Sequence, residues 1–256
     1  MDVIVFDLET TRNMNRSSMQ YIIEIGAVKL VNRGGKLSYH SRFQAYVLPP
    51  NKYVSKADRE FIHASKMDFK HAKKLRDTMR QFIHWIGNKP YYLCAWSTSD
   101  LHILVRNYVY GQKYNLSWIE NYNDLQQKFG EMININRQIS LTDSLKMSGI
   151  KLEGNQHSAI DDAMNTAKIL LTYQSHIPLD MNSQSSLFSQ FVVFLYSKCS
   201  SCNEVKYYTE FPIKKRGKSN RGKCNECLVK KRRYKKLMKL VKTLRHVMYS
   251  KRCNEH

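Results

Sequence analysis

The stretch Val3–Thr11, reading Val-Ile-Val-Phe-Asp-Leu-Glu-Thr-Thr, constrains the fold of this chain more tightly than any other. Val3, Ile4, Val5 and Phe6 form an apolar, mostly β-branched run, the pattern of a central strand buried on both faces. That strand ends in two carboxylates, Asp7 and Glu9, and positions i and i+2 of a strand project to the same side. Like charges converging at the edge of a core repel unless a cation lies between them. The pair therefore reads either as part of a divalent-metal site or as an Asp and a Glu at a solvated strand end. Nine residues do not decide between the two.

Charge comes next, because it is lopsided. The chain of 256 residues carries 42 Lys and Arg against 21 Asp and Glu. From Lys198 to His256 there are 19 basic and 4 acidic residues, while the first 197 carry 23 and 17. A C-terminal part with that excess is suited to a polyanion, most simply nucleic acid, with anionic membrane the weaker competitor. Four of the six cysteines, Cys199, Cys202, Cys224 and Cys227, form two C-x-x-C pairs, which points to metal in a reducing compartment. Asp2 and Asp7 bracket the N-terminal apolar run, so it does not read as a signal peptide, and Phe191–Tyr196 is too short to span a membrane. A soluble, intracellular and cytoplasmic protein is expected.

The periodicities predict a mixed α/β first domain. Strands are expected at Tyr21–Val31 and Leu37–Leu48, joined by a turn at Asn32–Lys36 with Gly34-Gly35, and at Tyr91–Trp96. Helices are expected over His71–Ile86, from a Ser99 cap through Tyr108, within Glu120–Phe129 after a short strand or turn, over Asp143–Met147 with Thr142 as cap, and over Ser158–Tyr173. On the last, Ala159, Ala163, Ala167 and Leu170 suit close packing on a sheet. The boundaries predicted are a catalytic domain over 1–176, a linker over 177–197 and a small basic module over 198–256.

Three distant pieces are alike in kind. Asp7 and Glu9 end the first strand, Asp100 follows the strand Tyr91–Trp96, and Asp162 lies on a helix five residues after His157. Four such carboxylates can hold two metal ions that clamp the attacking and leaving oxygens of a phosphoryl displacement. A histidine can take the proton from an attacking water.

At these residues the chain resembles the DEDDh 3′–5′ exonucleases, in the ERI/KapD-like branch of the DnaQ-like superfamily. Asp7-Leu-Glu9-Thr-Thr11 looks like the first motif, Trp96-Ser-Thr-Ser-Asp100 the second, and His157-Ser-Ala-Ile-Asp-Asp162-Ala163 the third, H-x-A-x-x-D-A. Ile22–Val28 resembles the family's second strand, and Trp96 stands where proofreading-type members have asparagine. The resemblance covers about residues 1–175. It implies a ribonuclease H-like mixed sheet flanked by helices, with Asp7, Glu9, Asp100 and Asp162 holding two Mg²⁺ or Mn²⁺ ions and His157 as general base. It also implies that Leu8, Thr10 and Trp96 contact substrate. Hydrolysis from a 3′ end would release nucleoside 5′-monophosphates. The segment Ile62–Lys66 departs from the family's Thr-Gly-Ile pattern, which bears on substrate contacts rather than on the metal chemistry.

The two C-x-x-C pairs are separated by 21 residues. Four thiolates around one structural Zn²⁺ give the tetrahedral geometry zinc requires, in a zinc-ribbon-like module too poor in apolar residues to hold a core alone. Leu228–Tyr249 is expected to be a basic helix. Lys214–Arg216, Lys218, Arg221 and Lys223 form a basic loop, and Tyr207, Tyr208 and Phe211 are available to stack bases or to bury against the zinc knuckles. Cys94 is expected to be inert in a core strand. The reading as a whole is an exonuclease acting on nucleic acid, RNA favoured over DNA. A nucleic-acid-binding adaptor with a weak or silent active site, and a DNA repair or proofreading exonuclease, are the alternatives.

Overall fold

The computed structural model of the chain describes residues 1–12, 20–109, 116–182, 196–207, 210–211, 222–235 and 238. The chain divides into two compact units, Met1–Val192 and Val193–His256.

The first unit is built on β1 (Asp2–Thr10). Val3, Ile4, Val5 and Phe6 are at most 1% exposed, so this strand is buried on both faces. On one side it pairs antiparallel with β2 (Ile22–Arg33), which pairs antiparallel with β3 (Lys36–Leu48). On the other it pairs parallel with β5 (Tyr91–Ala95), which pairs parallel with β6 (Tyr122–Asp124). A two-residue strand, β4 (Lys73–Lys74), closes the far edge, giving the order β4-β3-β2-β1-β5-β6. The β2–β3 turn places Gly34 at φ +60° and Gly35 at φ +88°, left-handed values that glycine adopts without a Cβ penalty.

Helices cover this sheet: α1 (Lys56–Phe61), α2 (Leu75–Ile86), α3 (Thr98–Val109), α4 (Leu125–Met132), α5 (Leu141–Met147) and α6 (Ala159–Thr172). Ala159, Ala163, Ala167 and Leu170 on α6 are at most 1% exposed, and the three small side chains bring the helix axis close to β1 and β2. The approach is closest at Gly26. A Cβ there would lie 2.2 Å from the Ala159 carbonyl carbon. Cross-strand register explains what that gap does, since directly opposed residues share a face. Asp7, Gly26 and Gln44 form one row and Glu9, Glu24 and Tyr46 the next. The missing side chain at Gly26 is thus the space through which the start of α6 reaches the Asp7–Glu9 face.

Several boundaries differ from the sequence reading, each for a local reason. Helix α1 has no apolar period of its own; Ser55 caps it by accepting the Asp58 N–H at 3.0 Å. Lys73 and Lys74 are drawn into the sheet edge, so α2 begins at Leu75 rather than His71. Ser99 lies inside α3, which starts at Thr98, and α5 is capped by Ser140 instead of Thr142, through the Asp143 N–H at 3.1 Å. The predicted linker is partly docked: Ile177 is 2% exposed, and the Asp180 and Asn182 amides donate to Asn123 and Asn121 at 2.8 and 3.0 Å.

In the second unit a short hairpin, β7 (Tyr196–Lys198) and β8 (Val205–Tyr207), carries the first cysteine pair, and a helix over 225–235 starts just after Cys224 and carries Cys227. Apart from residue 238, the remainder of the predicted Leu228–Tyr249 helix lies outside the described residues, as do Tyr208 and the basic loop from Lys214 to Arg221.

Substituting Gly26→Ala is expected to push α6 off the sheet and cost about 1–3 kcal/mol, the range for overpacking a core. Thermal unfolding followed by circular dichroism measures the loss.

Candidate active site

β1 delivers Asp7 and Glu9 side by side, as its period requires. Asp100 reaches them from the first turn of α3. That helix is set by Asp124, which accepts the Thr98 N–H at 3.0 Å and, with its other oxygen, caps α4 through the Gln127 N–H at 2.9 Å. Asp100 then accepts the Leu8 N–H at 3.3 Å, so its carboxyl is tied to the backbone between the two β1 carboxylates.

The last two groups arrive with α6. The Asp162 carboxylate accepts the His157 N–H at 2.9 Å, closing the turn ahead of the helix, and His157 adopts φ +65°. A left-handed non-glycine residue is held by its surroundings. Here Asp162 holds the His157 amide, and Asn165, fully buried, ties the segment ahead of the turn to the helix: its amide donates to the Glu153 and Asp161 carbonyls at 2.8 and 2.9 Å and accepts the Glu153 N–H at 3.1 Å. Asp161 turns away from the site and accepts the Asn155 N–H at 2.9 Å. The helical phase therefore separates the neighbours, and Asp162 is the one that faces β1.

Ligand atoms of Glu9, His157 and Asp162 lie within 4.8 Å of one another, with His157 Nδ1 3.9 Å from Glu9 Oε1. Burial pushes the Glu9 carboxyl up to about 8, with repulsion from Asp162, Glu24 and Asp100 adding to it. Asp100 is raised to about 7 by burial, against the pull of the Leu8 amide, and Asp162 is raised by burial too. Asp7 is raised well above the ordinary range by burial and by Asp100, Asp162, Glu9 and Glu24. Among the described residues no Lys or Arg pairs with these four carboxylates, and His157 is the basic group beside them. Buried oxygens that repel one another and lack a protein countercharge fit hard divalent cations, Mg²⁺ or Mn²⁺.

Two features escaped the sequence reading. Glu24 is fully buried; it accepts the Ala159 N–H at 3.2 Å and the Gln44 side-chain amide at 2.8 Å, and burial raises it to about 7. Its signal was a single carboxylate inside the apolar run Tyr21–Val28. Phe61 stacks on the His157 ring at 4.2 Å between centroids and 25° between planes. Arg12 binds the helix that carries Phe61: its N–H donates to Asp58 at 3.0 Å, its guanidinium to the Ala57 carbonyl at 2.6 Å, and its Cζ sits 4.8 Å from the Phe61 centroid. No local pattern in the sequence announces that pairing.

Of the residues expected to touch substrate, Leu8 is 6% exposed and serves Asp100 through its backbone. Thr10 is half-buried beyond Glu9, and its amide pulls the Glu9 carboxyl down. Trp96 is placed in the core: it is 7% exposed, its Nε1–H donates to the Ile139 carbonyl at 3.1 Å, and its ring packs against Phe129. That packing offers a wall behind Asp100 rather than a free stacking face. Cys94 is fully buried, which pushes its thiol up and keeps it unreactive.

In the second unit the sulfurs of Cys199, Cys202, Cys224 and Cys227 lie within 4.8 Å of one another. Cys199 Sγ accepts N–H bonds from Ser201 at 3.4 Å and Cys224 at 3.3 Å, an arrangement that favours a thiolate. Asn203 at φ +65° and the Cys199 N–H bond to the Glu204 carbonyl at 2.8 Å close the first knuckle. The cluster is compatible with zinc.

A mixed six-stranded sheet whose central strand ends in a buried acidic cluster places the first unit among ribonuclease H-like, metal-dependent nucleases. Residues 4–170 match the family described as Exonuclease (RNase_T), and the chain belongs to that family. Asp7, Glu9, Asp100, His157 and Asp162 occur in the order that the DEDDh resemblance expects. No curated protein matches the chain. Among solved structures, it is similar to the nuclease domain of 3′hExo, described as a DEDDh family member bound to rAMP. The identity is 23% and the TM-score 0.62, over 71% of this chain and 96% of that one. A 3′-exonuclease described in 3′-end specific recognition of histone mRNA stem-loop matches at 18% identity and TM-score 0.60, over 83% and 93%. Cell-death related nuclease 4 (CRN-4) matches at 19% and 0.59, over 78% and 69%. At such identities the likeness speaks for the fold.

The raised carboxyls make a prediction about the metal-free protein. A raised acid keeps its proton in the folded state after the unfolded chain has released it. Stability from Glu9 therefore falls as pH rises from about 4.5 to about 8. In EDTA the melting temperature of the wild type is expected to drop more steeply between pH 6 and 8 than that of Asp7→Asn, and added Mg²⁺ to stabilise the wild type alone. Differential scanning fluorimetry reads both.

Proposed function

We propose that the chain is a 3′–5′ exonuclease that hydrolyses nucleic acid, RNA in preference to DNA, to nucleoside 5′-monophosphates. The observation that carries this reading is the convergence of Glu9, His157 and Asp162 with Asp7 and Asp100 at the end of one strand. Divalent ions held by Asp7, Glu9, Asp100 and Asp162 would supply positive charge at the scissile phosphate. His157, 52% exposed at the edge of that cluster, takes the proton from the attacking water. Its stack on Phe61 limits the directions in which the ring can carry that proton away. Leu8 and Thr10 line the approach to the terminal nucleotide.

The preference for RNA rests on the likeness of the Trp96 motif to the ERI/KapD-like branch, together with the recognition of a histone mRNA stem-loop described for one structural neighbour. In the second unit, Cys199, Cys202, Cys224 and Cys227 hold one structural Zn²⁺, and the basic residues around them grip phosphates without reading sequence. The net charge of that part, 19 basic against 4 acidic residues, supports this role.

Matched 5′-labelled RNA and DNA oligonucleotides, with Mg²⁺ or EDTA, test the chemistry. The expected result is a ladder shortening one nucleotide at a time from the 3′ end, faster on RNA. It should be absent with EDTA and reduced at least about 10²-fold in His157→Ala, as for loss of a general base. No ladder on either substrate, with binding intact, would make the chain an adaptor.

For the second unit, Cys224→Ser is expected to reduce bound zinc from one ion per chain to none. The same variant should lose affinity for long oligonucleotides while still cleaving short ones. Elemental analysis and a binding titration measure the two effects.

A further inference from the structure

Residues 51–76 carry eight Lys and Arg and three Asp and Glu. The rest of the first 197 residues carry 15 and 14, so nearly all the positive excess ahead of the basic C-terminal part sits in this one stretch. Two of its three acids pair with a cation, and the third, Asp68, keeps its charge while accepting hydrogen bonds. Asp58 binds Arg12 and Ser55, Glu60 pairs with Lys56 at 3.5 Å, and Asp68 accepts from the Ser65 amide and hydroxyl at 2.7 and 2.8 Å. Lys52, Lys66, Lys70, Lys73 and Lys74 are exposed and make no ion pair among the described residues. Tyr53, 64% exposed, offers an aromatic face among them.

This stretch is connected to the carboxylates at two points. Phe61, at the end of α1, stacks on His157. Farther along, the cross-strand row Glu9–Glu24–Tyr46 crosses two strand spacings, roughly 10 Å. Phe69 continues that row, 5.0 Å from the Tyr46 ring. Lys66 and Lys70 lie on either side of Phe69 in sequence, and an open groove lined by Gln44, Tyr46, Asp68, His71 and Lys73 runs along the same edge of the sheet. The lysines therefore begin roughly 15 Å from the site, about four nucleotides of a stacked strand at 3.4 Å each.

We propose that the exposed lysines at 52–74 form a track for the phosphates of a single nucleic-acid strand upstream of the nucleotide being cleaved. This rests on the exonuclease reading and extends it to a length preference: strands long enough to reach Lys66 are held, and shorter ones are not. Solvated charge runs are common, but this one keeps a net excess of positive charge, is interleaved with an exposed aromatic and borders an open groove at the sheet edge. Those are the elements by which single strands are gripped without sequence choice.

The test compares the full-length wild type with the triple variant Lys66→Ala, Lys70→Ala, Lys73→Ala on a trinucleotide and on an oligonucleotide of about 15 nucleotides. Expected is a KM several-fold higher for the long strand alone, kcat unchanged on both, and a salt dependence of log KM shallower by about 2 for three lost contacts on a single strand. An unchanged KM and salt slope on the long strand would overturn the track while leaving the chemistry standing, as would equal losses on both lengths. If the wild type cleaves neither substrate, the exonuclease reading fails, and fluorescence-anisotropy binding of the long strand still reports the track through the same variant. Phosphatidylserine vesicles that bind wild type but not the variant, with oligonucleotide affinity unchanged, would assign the patch to membrane and overturn the proposal.

Discussion

The carboxylates at the end of β1 repel one another, and much of the first unit serves to hold them together regardless. Asp7, Glu9, Asp100 and Asp162 come from three separate elements, each fixed by a contact away from the charge cluster. Asp124 sets α3 so that Asp100 meets the Leu8 amide, and Gly26 leaves the gap into which α6 descends with Asp162. Burial and mutual repulsion push their carboxyls above the ordinary range, a repulsion that in water would relax by separation. Here the central strand, buried on both faces, cannot move.

Glu24 is a fifth acid with a different task. Its oxygens are taken by the Ala159 and Gln44 N–H groups, so it acts as a fastening between β2 and α6. A carboxylate satisfied by two donors at the start of a helix is favourable. By anchoring α6 it also fixes the left-handed turn at His157, and Asn165 ties the segment ahead of that turn to the helix. His157 is thus exposed enough to meet water and still confined, with the Phe61 ring on one side and Glu9 on the other.

The two units are stabilised by different physics. The first buries a continuous apolar core running from Val3 and Val5 through Phe129 to Ile169. In the second, the clustered cysteine sulfurs and their N–H donors take the place that side-chain packing holds in the first. The zinc ion proposed for that cluster would staple the module and leave its surface free for lysine and arginine.

What the sequence determined by itself is local in origin. The apolar run at Val3–Phe6, the Ala159–Ala163–Ala167 stripe, the Gly34-Gly35 turn and the three acidic motifs each depend on residues close in the chain, where period and backbone preference act directly. The DEDDh resemblance then joined the motifs into one site. Tertiary structure decided what depends on register and on opposing surfaces. Gly26 is a packing gap because it lies across from Asp7; Glu24 is a fastening because it lies across from Glu9; Trp96 is a wall because the Ile139 carbonyl meets its indole. Phe61 reaches His157 because Arg12 holds α1 against the end of β1. In each case the partner lies tens of residues away, and no pattern short of the folded chain encodes which residue a side chain will face.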